Sequence, residues 1–429
     1  CSEESCLYHV FRFTFSMPHA SMPHAQSPIQ DFYPPQLNPG LARLVQYCAP
    51  LYGRLQSRMT LEIEPSEIAK LKQLQRDRVL LMPNHPTYYD DWVAVFILSA
   101  QVQKPFYYLA AHERFRGLEG QFIQRLGAYS IRRGMGDRPS VAMTRDLLMQ
   151  PACHLVIFPE GGCSYQNDTV MPFRTGAVQV AMQALSKLER QGEVVPDLYA
   201  VPLSIKYRYT CDMVPIIDQT LQRLEKALNM VPTASSATFY QRLRRVAEVF
   251  LVDIESKFRL DSPSEDLAQQ SWNDRIIWLR SHILAQCEQR LNIMPLPHKP
   301  MRERVYAVQL ALEDQAASLT QDDFLTYDSM HQMASNLLNF DAIYDGYVAE
   351  SPTPERFLDT LIRLERSAFQ INYPSPKAHR KTLLKVGDPI NLKDYLNAYQ
   401  GDRAVMSQQL TSQIQNAVQS NLDLLVQKN

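Results

Sequence analysis

The chain has 429 residues, 45% of them hydrophobic and 21% charged, with a formal net charge of −1. Those proportions suit a folded protein with a substantial core and exclude a largely disordered chain. Near-neutral balance excludes nucleic-acid binding by the chain as a whole. Seven scattered cysteines without zinc or CxxC spacing point to reduced thiols in a cytosolic setting.

In chain order, Cys1–Gln30 carries SMPHA twice in tandem. It is expected to be a disordered leader or an unreliable start, since it lacks the basic n-region and long apolar core of a signal peptide. Leu41–Gln56, LARLVQYCAPLYGRLQ, is amphipathic and fits either a membrane-surface helix or a helix pair hinged at Pro50 and docked on the core. Strands are predicted at Arg78–Pro83, Lys104–Ala110, His154–Gly162 and Leu198–Tyr207. Helices are predicted between them, near Asp91–Ala100, Arg138–Met149 and Thr175–Arg190. This alternation predicts an α/β domain over 31–211, with a mixed, mostly parallel sheet flanked by helices. No run approaches the roughly 20 apolar residues of a membrane span, and Trp92–Ala100 reads as a buried helix.

From Asp212 the texture changes. TLQRLEKALNM, FYQRLRRVAEVFLVDIESKF and DRIIWLRSHILAQCEQRL place apolar residues three and four apart, which predicts helices. Of 14 glycines only Gly346 falls between Gly192 and Gly387. At Leu383–Leu396 a strand-like run and a turn return, followed by a last amphipathic helix. The expected organisation is an all-helical insertion, 212–375, before a final strand and C-terminal helix, 376–429, that complete the α/β domain. Asp212–Tyr373 holds 16 Lys+Arg and 23 Asp+Glu, a net of −7, which leaves +6 on the remainder. An anionic ligand or membrane surface is therefore expected at the α/β body.

Three stretches carry chemistry. MPNHPTYYDDWVAVF puts His85 after a strand and five residues before Asp90, with Asp91 a rival partner that spacing does not exclude. A neutral imidazole at a strand end can take a proton from a hydroxyl, and a carboxylate can fix its tautomer. Chance alone supplies about 0.6 such His–Asp spacings in a chain of this composition. Thr87-x-x-Asp90 is also a capping-box pattern, so Asp90 has a plain structural alternative. GAYSIRR, Gly127–Arg133, ends a basic run and reads equally as a solvated turn. FPEGGCS, Phe158–Ser164, sets Glu160 and two glycines after an apolar strand, either to approach a ligand or as a simple strand-end turn. Cys163 near His85 or His154 raises a thiol nucleophile as a further reading, without a local thiol-protease signature to support it.

Taken together, NHPTYYD, GAYSIRR, FPEGG and VPLSI (Val201–Ile205) resemble, in order and spacing, the blocks of the PlsC-like glycerolipid acyltransferase family. FRTGA at Phe173–Ala177 and VGDPINL near the C-terminus resemble two further blocks. The resemblance covers about Arg43–Arg208 plus Leu383 onward, and leaves the helical stretch unexplained. It implies phospholipid biosynthesis by acyl transfer from acyl-CoA or acyl-carrier protein to a hydroxyl, with no metal or cofactor. It further implies His85 as general base and Asp90 as its orienter. N–H groups near Thr87–Tyr88 would stabilise the oxyanion. Arg133, Glu160, Gly161 and Arg174 would bind the acceptor, and Pro202 would shape the acyl slot. The family usually reads FPEGTR. Here Gly162 and Cys163 stand in the last two places, with Arg132, Arg174 and Lys206 as candidates to compensate. Lysophosphatidate is the first expected acceptor, with other lysophospholipids or hydroxyls behind it. Peripheral contact with a membrane from the cytoplasm is expected. A non-catalytic lipid-binding or scaffold protein is the reading from a different class.

Overall fold

The computed structural model describes residues 31–427 except 88–89, 232–236, 258–270, 298, 316–326, 328, 332, 335, 339–345 and 372–373. The expectation for Cys1–Gln30 lies outside the described residues.

Eight strands form one sheet: β1 (Met59–Ile63), β2 (Arg78–Pro83), β3 (Tyr107–Ala111), β4 (Ala128–Ile131), β5 (His154–Val156), β6 (Leu198–Tyr209), β7 (Arg380–Val386) and β8 (Ile390–Asn391). Their order is β1-β7-β6-β2-β5-β3-β4, with β8 also on β6. From β4 to β6 every pairing is parallel. The long β6 pairs β2 through its first half and β7, antiparallel, through its second. The sheet is mixed and mostly parallel, as expected.

Burial on both faces explains the apolar strands. Val79 and Leu81 of β2 join one core with Tyr108, Val201 and Leu203. That core lies under α1 (Pro39–Leu55), α2 (Pro65–Gln73) and α3 (Asp90–Val102). The alternate residues Leu80 and Met82 join the other core with Leu155 and Ala200. It lies under α4 (Arg138–Met149), α5 (Gly176–Arg190) and the C-terminal helix α6 (Arg403–Gln427). Side chains on a strand alternate between faces, so a strand covered twice shows no polar alternation.

Several local expectations shift. The first segment is one helix running through Pro50, not a hinged pair, started by Asn38, whose side chain accepts from Leu41 N. Its Ala42, Gln46, Ala49 and Gly53 are buried, and Gln46 donates to Ser99 Oγ of α3 at 2.8 Å. The strand predicted over His154–Gly162 ends at Val156, because the following residues turn away into the site. GAYSIRR supplies β4 rather than a solvated turn. β1, MTLEI, alternates apolar and polar residues but is not among the strands predicted above; it pairs in parallel with β7.

Between β6 and β7 the described residues form helices. These are Val214–Ala227, Phe239–Lys257, Trp272–Arg290, α7 (Met301–Gln315), the short Tyr347–Glu350 and α8 (Pro354–Phe369). They build apolar clusters of their own, one around Leu284 and Val305 and one around Leu221 and Leu361. Among the described residues no helix is long and apolar enough to cross a membrane.

The returning strand is tied to α3 by a buried ion pair between Arg380 and Asp90, and Arg380 also donates to Ser57 O at 3.0 Å. Removing one partner leaves a buried charge uncompensated. Arg380→Ala is expected to lower stability by about 3–5 kcal/mol, read as a lowered urea midpoint by circular dichroism.

Candidate active site

β2 ends at Pro83, and the chain runs through Asn84 and His85 into α3. Asn84 is fully buried and clamps the turn to β6, accepting from Ile205 N at 2.7 Å and donating to Ile205 O at 3.0 Å. His85 then stands at the C-terminal edge of the parallel strands, where open α/β sheets place ligands.

The carboxylate on His85 is that of Asp91, not Asp90. His85 Nδ1 lies 2.6 Å from Asp91 Oδ2. Asp91 also accepts from Thr87 N at 2.8 Å, from Thr87 Oγ1 at 2.7 Å and from Tyr207 Oη at 2.7 Å. The five-residue spacing from His85 to Asp90 therefore describes a neighbour: Asp90 points to Arg380 and the returning strand. The capping reading moves with it, since Thr87 N–H is satisfied by Asp91. That N–H is thus committed and does not serve the oxyanion, and Tyr88 lies outside the described residues.

Burial opposes a charge on His85, but the Cys163 sulfur and the Asp91 carboxylate beside it hold the imidazole well above its ordinary pKa of 6.5. His85 Nε2 lies 3.7 Å from Cys163 Sγ. Phe158 packs against the imidazole, with ring centroids 4.4 Å apart.

Glu160 turns to the backbone and does not line the cavity described below. It is 2% exposed, and its Oε1 accepts from the backbone N–H of His85 at 2.7 Å. Burial raises its pKa to about 7 against the pull of that N–H and of Arg302. That bond holds the His85 backbone. Pro202 also misses the expected slot: its ring packs on Gly387, where a Cβ would fall 2.9 Å from Pro202 Cβ. His154 lies apart, with Nε2 on Leu74 O at 3.1 Å, and its pKa falls to about 4 through burial. Lys206 is paired with Asp168, and Arg132 with Asp31. Neither supplies the missing arginine.

Arg133, Gly161 and Arg174 do share one space with His85 and Cys163. A cavity of about 540 Å³ opens between them and runs inward past Trp92, Phe96, Ile123 and Val180. That volume is within the range of small-molecule sites. Apolar walls with charged groups at one end suit a molecule with a hydrocarbon chain and a polar head. Gly161 adopts φ +70°, which a side chain would strain.

Residues 66–206 match the acyltransferase family model. That stretch of the α/β body is an acyltransferase-family domain. That match spans His85, Asp91, Arg133, Gly161, Cys163 and Arg174, so acyl transfer is the activity the domain supports. A search of curated proteins finds no match to the chain.

Sequence reasoning missed the contribution of the helical segment. Tyr306 Oη donates to Gly161 O at 3.0 Å, Arg302 Nη1 to Gly162 O at 3.0 Å, and Arg363 Nη2 to Ser164 O and Tyr165 O at 2.7 and 2.6 Å. Nothing in periodicity marks those arginines as different from exposed ones.

By proton NMR, the His85 imidazole is expected to titrate above 6.5. Asp91→Asn should move that titration downward, because the charge favouring imidazolium is gone, whereas Asp90→Asn should leave it nearly in place.

Proposed function

We propose that this protein transfers a fatty acyl group from acyl-CoA or acyl-carrier protein to the hydroxyl of a glycerolipid acceptor, lysophosphatidate first among them, in phospholipid biosynthesis. The observation that carries this reading is the His85–Asp91 pair set at the polar end of an apolar cavity. His85 Nε2 removes the acceptor's hydroxyl proton as the oxygen attacks the thioester carbonyl. The tetrahedral intermediate expels the thiolate, which takes the proton back from the imidazolium. The products are an ester and a free thiol. Asp91 holds the tautomer that leaves Nε2 free to accept and stabilises the imidazolium, an effect of about 10²–10⁴ in rate. Each methylene of the acyl chain that enters the cavity contributes about 0.8 kcal/mol.

A second reading rests on the line Cys163–His85–Asp91. Sγ could attack the thioester first, releasing the donor thiol with the His85 proton, and the acceptor alkoxide would then displace Sγ. One-step transfer is favoured because His85 itself lines the cavity and needs no relay to meet a hydroxyl bound there. Cys163→Ala should therefore retain turnover. Its complete loss, with a trapped acyl-enzyme in the wild type, would establish the relay.

The test of the main reading is an acceptor screen with purified protein: lysophosphatidate, glycerol 3-phosphate and neutral lysolipids, each with both donors. His85→Ala should abolish transfer, and Asp91→Asn should lower kcat by about 10²–10⁴-fold. The acidic limb of kcat/KM should lie above pH 6.5, since the base acts neutral, and should shift downward in Asp91→Asn. Transfer that survives His85→Ala excludes the general-base role. Absence of transfer to every acceptor favours a lipid-binding or scaffold role.

Peripheral membrane contact is supported by α1. Leu44, Tyr47, Leu51 and Leu55 are 62%, 87%, 52% and 62% exposed and fall on one helix face, with Arg43 and Arg54 nearby in sequence. An apolar stripe flanked by basic residues suits an anionic bilayer surface. The double substitution Tyr47→Glu, Leu51→Glu should reduce sedimentation with phosphatidylglycerol vesicles several-fold; unchanged sedimentation would remove α1 from the membrane contact.

A further inference from the structure

Helix α7 (Met301–Gln315) lies outside the residues that match the acyltransferase family, yet it packs on Gly161 and Gly162, which line the polar end of the cavity. Tyr306 and Arg302 hold the carbonyls of Gly161 and Gly162, and Arg302 Nη2 also reaches Cys163 O at 3.5 Å. The Arg133 guanidinium lies 4.2 Å from the Tyr306 ring centroid and that of Arg174 lies 5.6 Å from it. Glu303 Oε1 stands 3.8 Å from Arg174 Nε.

Two glycines of the matched stretch are fitted to this helix. At Gly134, which has φ +85°, a Cβ would lie 2.6 Å from Ala307 N and from the Tyr306 carbonyl carbon. Those are backbone atoms, so a side chain there would have to push the helix away. At Gly162 a Cβ would fall 2.3 Å from Tyr306 Oη. The glycine standing where the family usually has threonine is therefore the residue that leaves room for Tyr306. Arg302 likewise brings a guanidinium from a distant helix to the turn that lacks its own arginine. Arg174 lines the cavity, and its buried Nη2 has no hydrogen-bond partner among the described residues.

We propose that α7 completes the acceptor head-group site: Tyr306 spreads Arg133 and Arg174 to receive a phosphate monoester, and Glu303 is the counter-ion that this head group displaces from Arg174. This rests on the acyl-transfer reading above. A carboxylate beside Arg174 partly neutralises it while no acceptor is bound. A phosphate monoester brings greater charge and more acceptor oxygens, and the guanidinium fork can engage two of them at once. An uncharged head group has no such means to compete. Glu303 therefore raises the concentration of anionic acceptor that the site requires, and with it sets the preference between anionic and neutral acceptors.

The experiment compares kcat/KM for lysophosphatidate with that for a monoacylglycerol of the same chain, using acyl-CoA and the full chain. Glu303→Gln should raise the ratio of the two by about three- to fivefold, the range of a part-exposed ion pair. Arg174→Ala should lower it by about tenfold or more. A ratio that Glu303→Gln leaves unchanged, or both substrates falling together, overturns the role of Glu303. If the wild type turns over neither acceptor, the reading of lysophosphatidate as acceptor from acyl-CoA fails, and calorimetry with inorganic phosphate judges the site by itself. Phosphate should then bind more tightly to Glu303→Gln and more weakly to Arg174→Ala than to the wild type, and equal binding by all three overturns the proposal. A steric control is Gly162→Ala, which should weaken lysophosphatidate use. Tyr306→Phe added to it should restore part of the loss, because the hydroxyl is the atom in the way. Failure of that rescue would dissociate Tyr306 from the site.

Discussion

The carboxylate of Asp91 is the point through which the site is assembled. It is fully buried and satisfied by donors from His85, Thr87 and Tyr207. Those donors belong to the β2–α3 turn and to β6, so one charge fixes the turn, the imidazole and the neighbouring strand together. A buried carboxylate is costly unless hydrogen bonds compensate it, and this one has them on both oxygens. The same bonds leave His85 Nε2 directed away from Asp91, 3.7 Å from Cys163 Sγ at the cavity. The tautomer and the position of the ring follow from that placement, and Cys163 together with Asp91 raises the affinity for a proton.

A second constraint is the run of carbonyls from Gly161 to Tyr165. Each accepts a hydrogen bond from a side chain of the helical segment: Tyr306, Arg302 and Arg363. Further along, Asp359 of α8 accepts from Asn167 N at 3.0 Å, and Arg356 pairs with Asp168. Burial raises the Asp359 carboxyl to about pKa 7. A loop whose carbonyls face one way needs donors from outside itself. The helices supply them, and so belong to the site rather than merely lying beside it. The segment carries net negative charge, but the side it turns to the loop is rich in arginine. Net charge by segment pointed to the α/β body alone and concealed that contribution.

The legibility of the site follows the range of the interactions involved. His85 was readable because a histidine after an apolar strand and before an apolar helix is a local pattern. Arg133, Gly161 and Arg174 were readable from family blocks, and the cavity brings them together. Glu160 was recognised as a site residue but not in its role, since whether a carboxylate meets a ligand or a backbone N–H depends on rotation of a single loop. Asp90 and Asp91 are adjacent on the chain, and one step along a helix turns a side chain by about 100°. Spacing could not separate them. Pro202 lies on the right strand, but Gly387 of the returning chain packs on its ring.

By itself, then, the sequence determined the α/β class, the helical detour and return, and the place of the histidine. Those depend on periodicity and on neighbours a few residues apart. Which aspartate meets His85, why residue 162 is glycine, and where the missing arginine comes from were decided by tertiary structure. Each depends on a partner about 115 to 290 residues away in sequence, Tyr207 for Asp91, Arg380 for Asp90, and Tyr306 and Arg302 for the glycine turn. Such contacts form because burial requires every polar group to find a partner, and the chain pattern does not record which one it finds.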